Sequence, residues 1–141
     1  MARLVLDTNS LLQCVARRNS SHELWLSFLD GRNQLCVTTE ILEEYTELLE
    51  QKTSSKLAYI LLDIIVHNPY TIFVNPVFRF KVIEADPDDN KFVDCAVAAK
   101  ALCIVSDDKH FSNLSKYEFP YVEVVRLADA VSMLFGADSL A

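Results

Sequence analysis

Short apolar runs of strand length, RLVL at 3–6, LCVT at 35–38 and CIV at 103–105, recur along this chain with helical patterns between them. None of these runs alternates with polar residues, as a strand with one wet face would. A strand apolar on both faces is covered on both faces, and strands that take turns with helices build a parallel sheet. The expectation is therefore an α/β fold with a central parallel sheet.

The intervals agree. Residues 10–17 and 22–30 have helical spacing, with Leu11, Leu12 and Val15, then Leu24, Trp25, Phe28 and Leu29. Thr39 is the expected N-cap of a helix over 40–51, whose stripe is Ile41, Leu42, Tyr45, Leu48 and Leu49. A further helix covers 55–66 and must stop near Pro69. TIFV (71–74) and VFRFKVI (77–83) read as extended, and DPDDN (86–90) opens a helix running to about 101. A strand at 102–106, a loop to Pro120, a strand at 121–125 and a helix at 128–135 complete the chain. No linker or repeat interrupts the 141 residues, so one domain over 1–141 is expected.

Composition closes several doors. The two glycines, Gly31 and Gly136, cannot build a P-loop or a GxGxxG dinucleotide loop. Cys14, Cys36, Cys95 and Cys103 form no CxxC pair and sit in apolar segments, so they read as small core residues. His22, His67 and His110 show no metal-ligand spacing. The longest apolar run, LAYILLDIIV (57–66), is too short to span a bilayer and carries Asp63. Met1 leads directly into strand-like sequence with no signal-peptide pattern, and a cytoplasmic location is expected. A net charge of −7 argues against a broad basic face for nucleic acid, although a local patch remains open.

The remaining signal is acidic. LVL runs into Asp7, and CIV runs through Ser106 and Asp107 into Asp108. In an open parallel sheet the ligand crevice lies beyond the carboxyl ends of the strands, where both acids should stand. Either one alone could equally cap the turn or helix that follows it. Asp94 lies in a helix that is apolar nearly all round after its first turn, so burial of its carboxylate needs a cation, a salt bridge or a backbone hydrogen bond. On the helix 40–51, Glu43, Glu47 and Glu50 point away from the apolar stripe, while Glu44 falls at its edge. Asp7, Glu44, Asp94 and Asp108 brought together would need a compensating cation, and all-oxygen ligands suit Mg²⁺ or Mn²⁺. Such a site lowers the pKa of a bound water and steadies the oxyanions of a phosphodiester under attack.

Four segments, LVLDTN (4–9), TTEILEEYTELL (38–49), DPDDNKFVDCAVAA (86–99) and IVSDDKHF (104–111), stand in this order across nearly the whole chain. In them the sequence resembles the PIN-domain nucleases, and more narrowly the small bacterial PIN proteins, many of them toxins of toxin–antitoxin pairs. The resemblance implies a three-layer α/β/α sandwich and Mg²⁺- or Mn²⁺-dependent hydrolysis of single-stranded RNA. It also implies a homodimer and an antitoxin partner. It assigns the catalytic and metal-binding acids to Asp7, Glu44, Asp94 and Asp108. Asn9 matches an asparagine that accompanies the first acid, Ser106 a hydroxyl that supports the last, and Asp89 is placed to assist through a water. Asp107 departs from the pattern and adds negative charge beside the proposed site. In so acidic a chain, substrate phosphates would be met locally by Arg17, Arg18, Lys91 and Lys109.

Two other readings are open. A phosphotransfer enzyme with an Asp7 nucleophile, as in haloacid dehalogenase-like folds, needs a second acid two residues on, where this chain has Asn9. A PIN fold could also serve as an RNA- or protein-binding module without turnover.

Overall fold

The computed structural model describes residues 1–80, 89–111 and 122–136. Its elements run β1 (Ala2–Leu6), α1 (Thr8–Val15), α2 (His22–Asp30), β2 (Asn33–Val37), α3 (Thr39–Lys52), α4 (Ser55–His67) and β3 (Thr71–Phe73). They continue as α5 (Asn90–Ala99), β4 (Cys103–Val105), a 3-10 turn at Lys109–Phe111, β5 (Val124–Val125) and α6 (Leu127–Phe135).

The strands form one sheet in the order β3-β2-β1-β4-β5, and every pairing is parallel. Leu4 of β1 stands between Leu35 of β2 and Cys103 of β4. Leu4, Val5, Leu6, Cys36, Val37, Ile104 and Val105 are sealed from solvent, which explains why these runs carry no polar alternation. Among the described residues six helices flank the sheet, giving the three-layer α/β/α sandwich. The strand order turns back after β3. Right-handed crossovers therefore carry α5 to the face opposite the helices that follow β1 and β2. The reversal falls at the carboxyl ends of β1 and β4, the position where such sheets hold ligands in a crevice.

The cysteines are core residues as expected. All four are buried and free. Burial pushes the Cys14 thiol up to about 12 and the Cys36 and Cys103 thiols to about 11, which makes them poor nucleophiles near neutral pH. Gly31 ends α2 at a φ of +85°, and a Cβ there would meet the Tyr70 ring at 2.7 Å. Among the described residues no helix is long and apolar enough to cross a membrane.

Several boundaries differ from the sequence expectation, each for a local reason. The first helix begins at Thr8 rather than residue 10, because Asp7 itself is its N-cap, and it ends at Val15, which leaves Arg17 and Arg18 exposed in a turn. Thr38, not Thr39, caps α3; its hydroxyl accepts from the Ile41 amide at 3.1 Å, while Thr39 is already helical. Val77–Phe80 form no strand, and the rest of that expected segment lies outside the described residues. So do residues 86–88 of the helix opening, most of the loop before Pro120 and the first residue of the expected strand at 121–125, of which Val124–Val125 pair with β4.

Candidate functional site

The crevice is built from the ends of β1 and β4. The Asp7 amide still donates to the Val105 carbonyl at 3.2 Å, so the two chains leave the sheet side by side. Asp7 then turns into α1 as its N-cap, with Oδ1 accepting from the Ser10 amide at 2.9 Å. Its other oxygen accepts from the Ser106 hydroxyl across the strand gap. Ser106 Oγ in turn accepts from the Asp108 amide at 3.0 Å. One serine thus ties together the two acids that follow the two central strands. Asp7 caps a helix, and the Asp108 carboxylate lies near enough to act on its charge.

Burial dominates the electrostatics of Asp7. Asp7 is only 6 % exposed. Burial raises its pKa most, the hydrogen bonds from Ser106 and Ser10 pull it down, and the nearby Asp108 carboxylate pushes it up again.

Glu44 reaches the same rim from α3. Its direction follows the helical reading, half-buried at the edge of the stripe while Glu43, Glu47 and Glu50 are exposed. The helix is pinned by the next residue, because the Tyr45 hydroxyl donates to the Leu6 carbonyl at 2.6 Å. One Glu44 oxygen accepts from the Thr8 hydroxyl, immediately after Asp7. The other pairs with Lys91 Nζ at 2.7 Å. Thr8 and Tyr45 were not singled out by sequence reasoning. A tyrosine inside an apolar stripe, which needs a partner for its hydroxyl, was the available signal for the second.

Asp94 goes elsewhere. It is 3 % exposed in the middle of α5, and burial raises its pKa. Oδ1 accepts from the Phe80 amide at 3.0 Å and Oδ2 lies 3.9 Å from Arg79 Nη1. That guanidinium also holds Glu40 of α3 at 2.7 Å. Among the described residues, Arg79 pulls the Asp94 pKa down and Glu40 pushes it up, and no three acids, histidines or cysteines converge as a metal site. The four-acid cluster expected from the sequence is therefore not assembled. Asp94 instead takes the alternative, a backbone hydrogen bond and an ion pair that fasten the segment before α5 to that helix. The physical reason is its depth, more than a turn below the N-terminus of α5 at the rim.

The remaining candidates are easily placed. Asp89 is the N-cap residue of α5, with its Oδ2 enclosed. Asn9 is exposed on the first turn of α1. Arg17 and Arg18 are exposed beyond its end, and Lys109 opens the 3-10 turn directly after Asp108. Asp107 turns away from the crevice. Its Oδ1 accepts from the Leu127 amide at 3.0 Å, at the start of α6, with Arg126 Nε at 3.7 Å. The extra negative charge beside the last acid is thus spent on a helix N-terminus, where it is favourable.

Among the described residues no three His, Cys, Asp or Glu side chains converge as a ready metal cage. The oxygen donors of Asp7 and Asp108 are of the chemical kind that a hard cation takes. Mg²⁺ is commonly held by one or two carboxylates, with waters and substrate phosphates filling its octahedron.

Solved structures share this fold at low sequence identity. VapBC2 from Rickettsia felis, bound to a DNA fragment from its promoter, superposes with a TM-score of 0.61 at 15% identity, covering 88% of this chain and 98% of the other. DNA-bound VapBC from Salmonella typhimurium gives 0.61 at 14% identity, over 90% and 99%. The PIN domain endonuclease Utp24 gives 0.52 at 15%, over 88% and 84%. No curated protein sequence matches the chain. The PIN domain family matches residues 3–110, and with that match over most of its length the chain belongs to the PIN domain family.

Proposed function

We propose that this protein is a Mg²⁺- or Mn²⁺-dependent endoribonuclease that hydrolyses phosphodiester bonds of single-stranded RNA. The observation that carries the reading is the Asp7–Ser106–Asp108 arrangement at the switch point of the sheet. Asp7 and Asp108 would hold the cation, with Glu44 joining from α3 and Asp89 assisting through a water from the N-terminus of α5. When bound, the cation supplies charge neutralisation at the phosphate and activates water for attack. Ser106 orients Asp7 and favours its ionised form by donating to it. Thr8 and Tyr45 hold Glu44 at the rim. Arg17, Arg18 and Lys109 offer the local positive charge that an acidic chain needs to meet RNA phosphates. Asp94, fastened to Phe80 and Arg79, holds α5 in place from outside this group.

The toxin role follows from the resemblance to small bacterial PIN proteins and from the shared fold with the VapBC structures. It brings with it an antitoxin partner, a homodimer and a cytoplasmic location. Cleavage of a labelled single-stranded RNA in Mn²⁺, Mg²⁺ or EDTA tests the enzymatic claim. Cutting in either metal and none in EDTA is expected. A folded protein that binds the RNA but leaves it intact in both metals would make it a binding module instead.

A further inference from the structure

Lys91 stands at an electrostatically poor position. It lies in the first turn of α5, where the helix macrodipole disfavours a cation. Its side chain is nevertheless only 16% exposed, and its ammonium lies 2.7 Å from Glu44 Oε1, on a side chain 28% exposed. The pair is mostly withdrawn from water, so each charge depends on the other. Phe92, beside it, places a ring centroid 6.0 Å from the ammonium and packs edge-on against Phe111 of the turn that follows Asp108. With the second Glu44 oxygen taken by Thr8, both oxygens of this carboxylate are engaged by protein donors.

We propose that Lys91 is the internal counter-cation of Glu44, a positioning residue that keeps this carboxylate from the metal until RNA arrives. The inference rests on the reading of Asp7 and Asp108 as a cation site. Before substrate binds, Lys91 competes with the divalent ion for Glu44, so the crevice holds its cation through two acids rather than three. A phosphodiester entering the crevice offers the ammonium a second anionic partner, within reach of its flexible four-carbon stem. Lys91 then moves from Glu44 to a phosphate oxygen, and Glu44 becomes available to the cation. The lysine so couples full coordination to the presence of substrate.

The test is a double-mutant cycle read by calorimetric Mn²⁺ binding without RNA, on wild type, Lys91→Gln, Glu44→Gln and the double variant. Lys91→Gln should bind Mn²⁺ about fivefold more tightly than wild type, and the gain should vanish in the Glu44→Gln background. Lys91→Arg, which keeps the charge, should bind as wild type does and guards against a mere packing effect. Mn²⁺ binding with no gain in Lys91→Gln, or an equal gain when Glu44 is already Gln, overturns this inference and leaves the metal reading standing. Absence of Mn²⁺ binding in all the proteins overturns both.

Discussion

Two buried aspartates in this molecule look alike until their neighbours are compared. Asp7 and Asp94 are 6 % and 3 % exposed, and burial raises the pKa of both. Asp7 meets a hydroxyl and an amide, and the nearby Asp108 carboxylate adds like charge that pushes its pKa up. Asp94 meets an amide and a guanidinium, whose opposite charge outweighs the like charge of Glu40. Burial of an acid therefore says little about function. The sign of the nearest charge says more, because a site that binds a cation must leave negative charge for it.

The comparison breaks most visibly in activity. Asp7→Asn should lower metal-dependent RNA cleavage by about a thousandfold or more, whereas Asp94→Asn, which can still accept from Phe80, should stay within about tenfold of wild type. Single-turnover cleavage rates of the two variants decide this. Equal losses would put both aspartates in one site.

Stability should show the reverse order. Asp94→Ala strands the Phe80 amide and deprives Arg79 of one acidic neighbour, and should cost about 1–3 kcal/mol in urea unfolding. An unchanged midpoint would mean that the segment before α5 is held by something other than Asp94.

Much of this contrast was legible in the sequence, and the illegible part was non-local. Asp7 and Asp108 could be placed because each follows a strand, and parallel strands deliver their last residues to one rim. Glu44 could be placed by its angle on an amphipathic helix. Asp94 could not, because a helix apolar nearly all round gives no direction to its one acid. Its partner amide comes from 14 residues earlier. Asp107 was legible as a charge but not as a cap, since the α6 amide it meets lies 20 residues on. The serine bridge between Asp7 and Asp108 spans 99 residues and became visible only once β1 and β4 were paired.

Ser106→Ala sharpens the account of Asp7 by a smaller step. The Ser106 hydrogen bond lowers the Asp7 pKa, so its removal raises it further. Cleavage should fall roughly tenfold at neutral pH, and the acid limb of the pH–rate profile should move to higher pH. A limb that stays in place would separate Ser106 from the ionisation of Asp7.

The smallest effect concerns Asp7 and folding. Its folded pKa lies above the ordinary aspartate value of 3.8, so the folded state binds this proton more tightly than the unfolded state does. Stability is then lost as pH rises from 3.8 through the folded value. Asp7→Asn removes that loss, and without added metal it should be more stable than wild type at pH 7. The difference should shrink below the ordinary aspartate pKa. Thermal melts at several pH values check the sign, and a destabilised variant at pH 7 would mean that the cap and serine contacts prefer the ionised group enough to offset its burial.

The most direct test of the central claim, that the Asp7–Asp108 pair and not Asp94 faces the cation, is Mn²⁺ binding followed by electron paramagnetic resonance. Wild type, Asp108→Asn and Asp94→Asn would be titrated side by side. Binding retained in Asp94→Asn and lost or strongly weakened in Asp108→Asn is the predicted result. Binding lost in a folded Asp94→Asn, with Asp108→Asn unaffected, would contradict it.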